Sequence, residues 1–352
     1  MLRISTRNRG VKSDDIHEMI PMKKISFVCG QINNKIFDAD DSISNRDNCL
    51  HSIHLLKSEF AKRGYDLSTP DINPIGISDF VIYVEIPKRL PKDTDIEKSV
   101  LILNECEVIH PRNWNYKNHA FFHKIFTWHD DLVDNKKYFK INFSQKIPTI
   151  PNWYLPEKSK FCVSVVGNRA SNHPLELYSE RIAAIRWFEK NHPEQFDLYG
   201  VGWDNLFPTM PTRISRICQP LLKTFGKKYS SYRGIIPNKN AVMKQYKFSI
   251  CYENARDIPG YITEKIFDSF FAGCIPVYLG APNITDYIPA GIFIDRRLFP
   301  SYEHLYYYMR FMEDDKYYSI IDNINRFLKS AAIYQFSSEC FARTIIRQVL
   351  GE

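Results

Sequence analysis

A chain of 352 residues suits two medium-sized domains better than one, because single cores stop growing at roughly 250–300 residues. Hydrophobic residues make up 44% and charged residues 25%, which is ordinary for a globular protein, and no run approaches the ~18–20 apolar residues of a membrane span. The net charge of +7 is not gathered into one block, which weakens a nucleic-acid-binding reading and leaves a mild Lys/Arg surplus suited to an anionic membrane or an anionic small substrate.

Residues 1–22 read as a polar lead-in without the apolar core of a signal peptide. The first strand is expected over 22–30, ended by Gly30. Leu50, Ile53, His54, Leu56 and Phe60 recur at helical spacing within 46–63. The apolar runs 78–87, 100–105 and 123–128 read as strands buried on both faces. Strands separated by helical segments imply a parallel sheet. A Pro-marked stretch at 148–156 then places a domain boundary, giving domains over 23–150 and 157–352. The pattern restarts with a strand at 161–167, a helix at 177–191, and strands at 196–200, 246–253 and 275–280. Segment 302–330 reads as helical, and the last helices are free to cross back to the first domain. The fold class is α/β, with two αβ units facing across a cleft.

Eight cysteines include no C-x-x-C pair, so a structural zinc site is not expected. Cys29, Cys162, Cys251 and Cys274 lie in or beside apolar runs, where free Cys behaves as a small hydrophobe. A reduced, cytoplasmic protein is expected, unless a membrane anchor has been removed from the chain. Aromatic residues reach 14%, and their faces and polar tips can line sugar and base sites.

The informative stretch is 246–280. A buried strand ends at Glu253 and Asn254, a loop carries Pro259 and Gly260, and Thr263 can N-cap a helix that Gly273 stops. Ile266, Phe267, Phe270 and Phe271 fall on one face of that helix. In strand–loop–helix–strand units, ligands bind beyond the carboxyl ends of strands, and a helix N-terminus receives anions. A Lys in the first turn opposes the helix dipole, so Lys265 points either to an anionic ligand or to a solvated surface position.

This stretch resembles the signature of glycosyltransferase family 10, the α1,3/4-fucosyltransferases. The resemblance rests on Tyr246-Lys247-Phe248, Cys251-Tyr252-Glu253-Asn254, the run Gly260-Tyr261-Ile262-Thr263-Glu264-Lys265-Ile266, and the run from Ala272 to Gly280. It is dense over about 231–295 and looser back to about residue 99. It implies a GT-B fold of two Rossmann-like domains, the second holding GDP-fucose and the first holding the acceptor and the base. It also implies inversion at the anomeric carbon through general-base catalysis, with no cofactor and no metal, GDP-fucose being the donor substrate.

Residue by residue, the resemblance places Lys265 on the donor diphosphate and Arg181 on the phosphate-binding arginine, with Arg186 a near alternative. Glu264 falls on the position that binds donor hydroxyls. Asn254 and Tyr261 fall on positions that line the donor site, Tyr261 equally open to a packing role. Asn168, Lys239, Glu253 and Thr263 are further donor-side candidates. Glu105 falls on the family's base, but Cys106 and Glu107 stand where Ser and Pro are usual, which leaves Glu107 as a rival. His129 and Asp130 read as a loop contact to the acceptor. The implied partners are GDP-fucose and a glycan acceptor such as a lipopolysaccharide, with no nucleic acid. Peripheral association with the inner membrane surface stays open. A GT-B transferase using another GDP-sugar, such as GDP-mannose, is the rival in the same class. A basic nucleic-acid-binding protein is the rival in another.

Overall fold

The computed structural model describes residues 21–39, 45–148, 158–204 and 229–352. The lead-in up to residue 20, positions 149–156 of the expected boundary, and Cys218 lie outside them. Two parallel sheets organise the chain. β1 (Lys23–Val28), β2 (Tyr65–Ser68), β3 (Phe80–Val84), β4 (Ser99–Leu103), β5 (Lys124–Thr127) and β6 (Tyr138–Lys140) form the first, in the order β2-β1-β3-β4-β5-β6. β7 (Lys160–Val165), β8 (Phe196–Tyr199), β9 (Tyr246–Tyr252), β10 (Ile275–Leu279) and β11 (Ile294–Asp295) form the second, in the order β11-β10-β9-β7-β8. All five residues of β4 are buried, as expected of a central strand covered on both faces.

The first sheet departs from a regular strand–helix alternation. Its one α-helix between strands is α1 (His51–Ala61), and the connections from β3 to β6 are short 3₁₀ segments among the described residues. Helix α1 starts later than its apolar spacing suggests, because Asp47 and Asn48 take left-handed φ values of 56° and 60°, which an α-helix cannot include. The missing cover comes from the chain's end. Helix α7 (Ser338–Leu350) lays Phe341, Ala342, Ile345, Ile346 and Val349 into the same core as Ile25, Phe27, Leu56 and Phe60. Each large apolar side chain so buried contributes roughly 1.5–3 kcal/mol, so the first domain depends on the C-terminal helix. Ser337 caps that helix by accepting from Cys340 N at 3.0 Å.

The second sheet is packed by α2 (Tyr178–Asn191), α3 (Lys239–Met243), α4 (Glu264–Phe271), α5 (Tyr302–Arg310) and α6 (Asp314–Lys329). Segment 302–330 is thus two helices rather than one continuous run. Helix α4 buries Ile266, Phe267 and Phe270, and α6 buries Ile320, Ile321, Ile324 and Phe327 in the same core. The seven cysteines among the described residues are free thiols. No helix of the described residues is long and apolar enough to cross a membrane.

Candidate active site

The carboxyl ends of β3 and β4 and the helices α3 and α4 of the second domain face a shared cleft of about 920 Å³. Glu105, Asn48, Cys49 and Phe143 line it from the first domain, and Lys239, Glu264 and Asp268 from the second. Phe341 of α7 also reaches it. The volume falls within the ~300–1,000 Å³ of ordinary small-molecule sites.

The second-domain wall is built around the start of α4. Glu253, at the end of β9, has no solvent exposure. Its carboxylate accepts Thr263 N at 2.8 Å and Thr263 Oγ1 at 2.6 Å. Thr263 therefore occupies the N-cap position but turns its hydroxyl to Glu253 instead of capping the helix. Lys265 Nζ donates to Thr263 Oγ1 at 3.0 Å and lies 3.4 Å from Glu253 and 3.3 Å from Glu264. Lys239 Nζ pairs with Asp268 at 2.8 Å. Burial opposes the charge on Lys265, but Glu264 and Glu253 outweigh it and hold the ammonium above the usual lysine range. Burial likewise opposes charge on Glu264, and Lys265 with Lys239 overcomes it, bringing the carboxyl down to about 2. Burial pushes Glu253 up. The site is not the bare cation that the Lys in the first turn suggests, since Glu253, Glu264 and Asp268 balance Lys239 and Lys265.

Across the cleft, Glu105 lies two residues beyond the end of β4. Burial lifts its carboxyl above the ordinary value; Glu264 adds to the rise, while Lys265 and Arg169 oppose it. Arg169, just beyond β7, is a cation that the motifs do not point to; it also faces Tyr178. The chain has left the strand before Glu107, so the two carboxyls are not held on one side by alternation. Glu107 is exposed, beside His173 Nε2 at 3.3 Å, and is not among the residues that line the cleft.

Several residues that the motifs place at the donor site make contacts within the protein. Arg181 is 4% exposed and spends Nε and Nη2 on Tyr252 O and Nη2 on Asn254 Oδ1. It braces the end of β9 and does not line the cleft. Arg186 pairs with Glu189 at 2.6 Å and stacks on Tyr229. Tyr261 is buried in the packing role that its sequence left open, its ring 4.6 Å from that of Trp128. Glu253 and Thr263 hydrogen-bond to one another. Asn254 is fixed by Arg181 and donates to Tyr261 Oη at 3.3 Å. Asn168 donates to Gly202 O at 2.9 Å and leaves its buried Oδ1 unpartnered.

Asp130 takes part in joining the domains. Asp130 accepts from Lys140 at 2.5 Å, from Asn283 at 2.8 Å and from Tyr287. Asn283 in turn accepts from Gly260 N at 2.9 Å. This network ties Asp130, in the first domain, to Asn283 and Tyr287 of the second. His129 stacks on Trp128 and its buried Nδ1 has no partner; burial lowers its basicity. Gly260 has φ 80°, and a Cβ there would lie 2.3 Å from Trp128 O. Gly260→Ala is therefore expected to destabilise by about 1–2 kcal/mol through left-handed strain and about 1–3 kcal/mol more through overpacking. Thermal and denaturant unfolding would read this, and an unchanged midpoint would refute it. Gly260 and Tyr261 thus dock the motif loop on the first domain, and Glu264 beyond it lines the cleft.

Two parallel α/β domains facing one another across a cleft define the GT-B class of glycosyltransferase folds. An α1,3-fucosyltransferase solved with GDP-fucose superposes with a TM-score of 0.55 at 17% identity, over 99% of this chain and 94% of that one. Anabaena Alr3699/HepE in complex with UDP and glucose gives 0.53 at 12% identity, over 94% and 100%. These likenesses establish the fold. Residues 217–325 match the model of glycosyltransferase family 10 (fucosyltransferase), C-terminal part. Similarity to the α-(1,3)-fucosyltransferase FucT of Helicobacter pylori is 33% over 81 residues, 23% of this chain and 17% of the relative. Similarity to an α-(1,4)-fucosyltransferase of Arabidopsis thaliana is 36% over 76 residues, 22% and 19%. The matched stretches thus span less than a fifth of those relatives' own lengths.

Proposed function

We propose that the chain is an inverting fucosyltransferase that moves L-fucose from GDP-fucose to a glycan hydroxyl, forming an α1,3 linkage. The observation that carries this reading is the placement of Glu105 opposite the start of α4, across one cleft. Glu105 takes the acceptor hydroxyl proton as that oxygen attacks the anomeric carbon, and the bond to GDP breaks on the opposite face. GDP leaves as an anion. Lys265, Lys239 and Arg169 supply cations near that departure, and Glu264, 43% exposed, is placed to accept sugar hydroxyls. The resemblance to family 10 favours fucose among GDP-sugars, and a surface glycan as acceptor.

Incubation with GDP-fucose and GDP-mannose, each with an array of acceptor sugars and followed by linkage analysis, tests the reading. GDP release and an α-linked product are expected with GDP-fucose alone. Because side-chain cations serve the diphosphate in this scheme, EDTA is expected to leave the rate unchanged. Transfer from GDP-mannose in preference to GDP-fucose would reassign the donor.

A further inference from the structure

We infer that Glu85 is a positioning residue for Glu105, holding the backbone from which the proposed base reaches into the cleft. Glu85 directly follows β3, and no motif singles it out. Its Oε1 accepts from Asn104 N at 3.2 Å and from Glu105 N at 2.9 Å. Its Oε2 accepts from Asn113 Nδ2, which also donates to Glu105 O at 3.2 Å. Asn113 is wholly buried and accepts from Ile86 N at 3.0 Å. Trp114 Nε1 donates to Glu105 O at 3.1 Å, and Trp128 Nε1 to Asn104 O at 2.8 Å. All four backbone polar groups of Asn104 and Glu105 are thus held by side chains.

This support is costly to maintain. Glu85 has φ 65°, in the left-handed region that favours glycine. A non-glycine residue stays there only when its surroundings over-determine it, and such strain gathers at functional sites. Burial also pushes its carboxyl up to about 7, against the hydrogen bonds from Asn113 and the two backbone N–H groups. A glycine would make the same turn without strain and without a buried carboxyl. What glycine would lose is the clamp. General-base catalysis needs that clamp, because a displacement of about 1 Å can cost roughly 10²-fold in rate.

The inference rests on Glu105 being the base, and the experiment separates the two. Glu85→Gly relieves the backbone strain but takes the carboxylate acceptor from the Asn104 and Glu105 N–H groups and from Asn113 Nδ2, and it should leave the donor KM unchanged. Its kcat should fall by about tenfold or more. Glu85→Gln, which still accepts both N–H groups, should recover much of that loss. Added to Glu105→Gln, the glycine variant should cost nothing further. Parental kcat in Glu85→Gly beside a collapsed Glu105→Gln would overturn the inference. So would a loss that repeats in full on the Glu105→Gln background, or kcat and KM shifting together. Parental turnover in Glu105→Gln overturns the base assignment itself.

Discussion

Glu105→Gln is expected to lower transfer at saturating donor by about 10²–10⁴-fold, the usual cost of removing a positioned general base. The substitution keeps shape and removes the proton acceptor. GDP affinity should be nearly untouched, since the base belongs to the other wall of the cleft. Burial holds the Glu105 carboxyl above its ordinary 4.5. A base works only when deprotonated, so kcat/KM should rise with pH through a midpoint above 4.5 and be lost as pH falls below it. Glu107→Gln should have a small effect, because its exposed carboxylate meets His173 and does not line the cleft. Collapse in Glu107→Gln with normal turnover in Glu105→Gln would move the base two residues along. Normal turnover in both would place it elsewhere.

The strands and the motif helix were legible because their signals are local. Long apolar runs such as those of β3, β4 and β9 are buried on both faces, and the face of α4 repeats at helical spacing. β2, β6 and β11 were not, being edge strands of four, three and two residues, too short to show a period. The roles of single polar residues were the least legible. Arg181 and Tyr261 sit at motif positions, yet whether such a group faces a cleft or a neighbouring element depends on contacts distant in sequence. Asp130 meets Asn283 across 153 positions, and no spacing rule reaches that far. Glu85 was hidden for the same reason: its partners lie 19, 20 and 28 residues on. Its left-handed backbone leaves no trace in a glutamate.

Lys265 is expected to serve both the donor and the fold, and the two can be pulled apart. Lys265→Met removes the cation that stands 3.4 Å from the fully buried Glu253. Breaking a buried pair on one side typically costs about 3–5 kcal/mol. Glu253 can avoid part of that cost by keeping a proton. Burial already raises it, and losing Lys265, which pulls it down, raises it further. Its folded value then lies above the unfolded 4.5, so between the two the native state holds a proton that the unfolded chain has released. Stability of the variant should therefore fall as pH rises above 4.5, until Glu253 ionises in the fold. Adding Glu253→Gln removes both the orphan charge and this pH dependence, and Gln can still accept from Thr263 N. The double variant should regain most of the lost Tm, with a flat pH profile in this range. Its affinity for GDP should stay low. A lost charge-assisted hydrogen bond contributes about 1.5–3 kcal/mol, which is roughly tenfold or more in Kd. Titration calorimetry with GDP reads this term separately from unfolding. A double variant that binds GDP as tightly as the parent would remove Lys265 from the donor site and leave it only its part in anchoring α4.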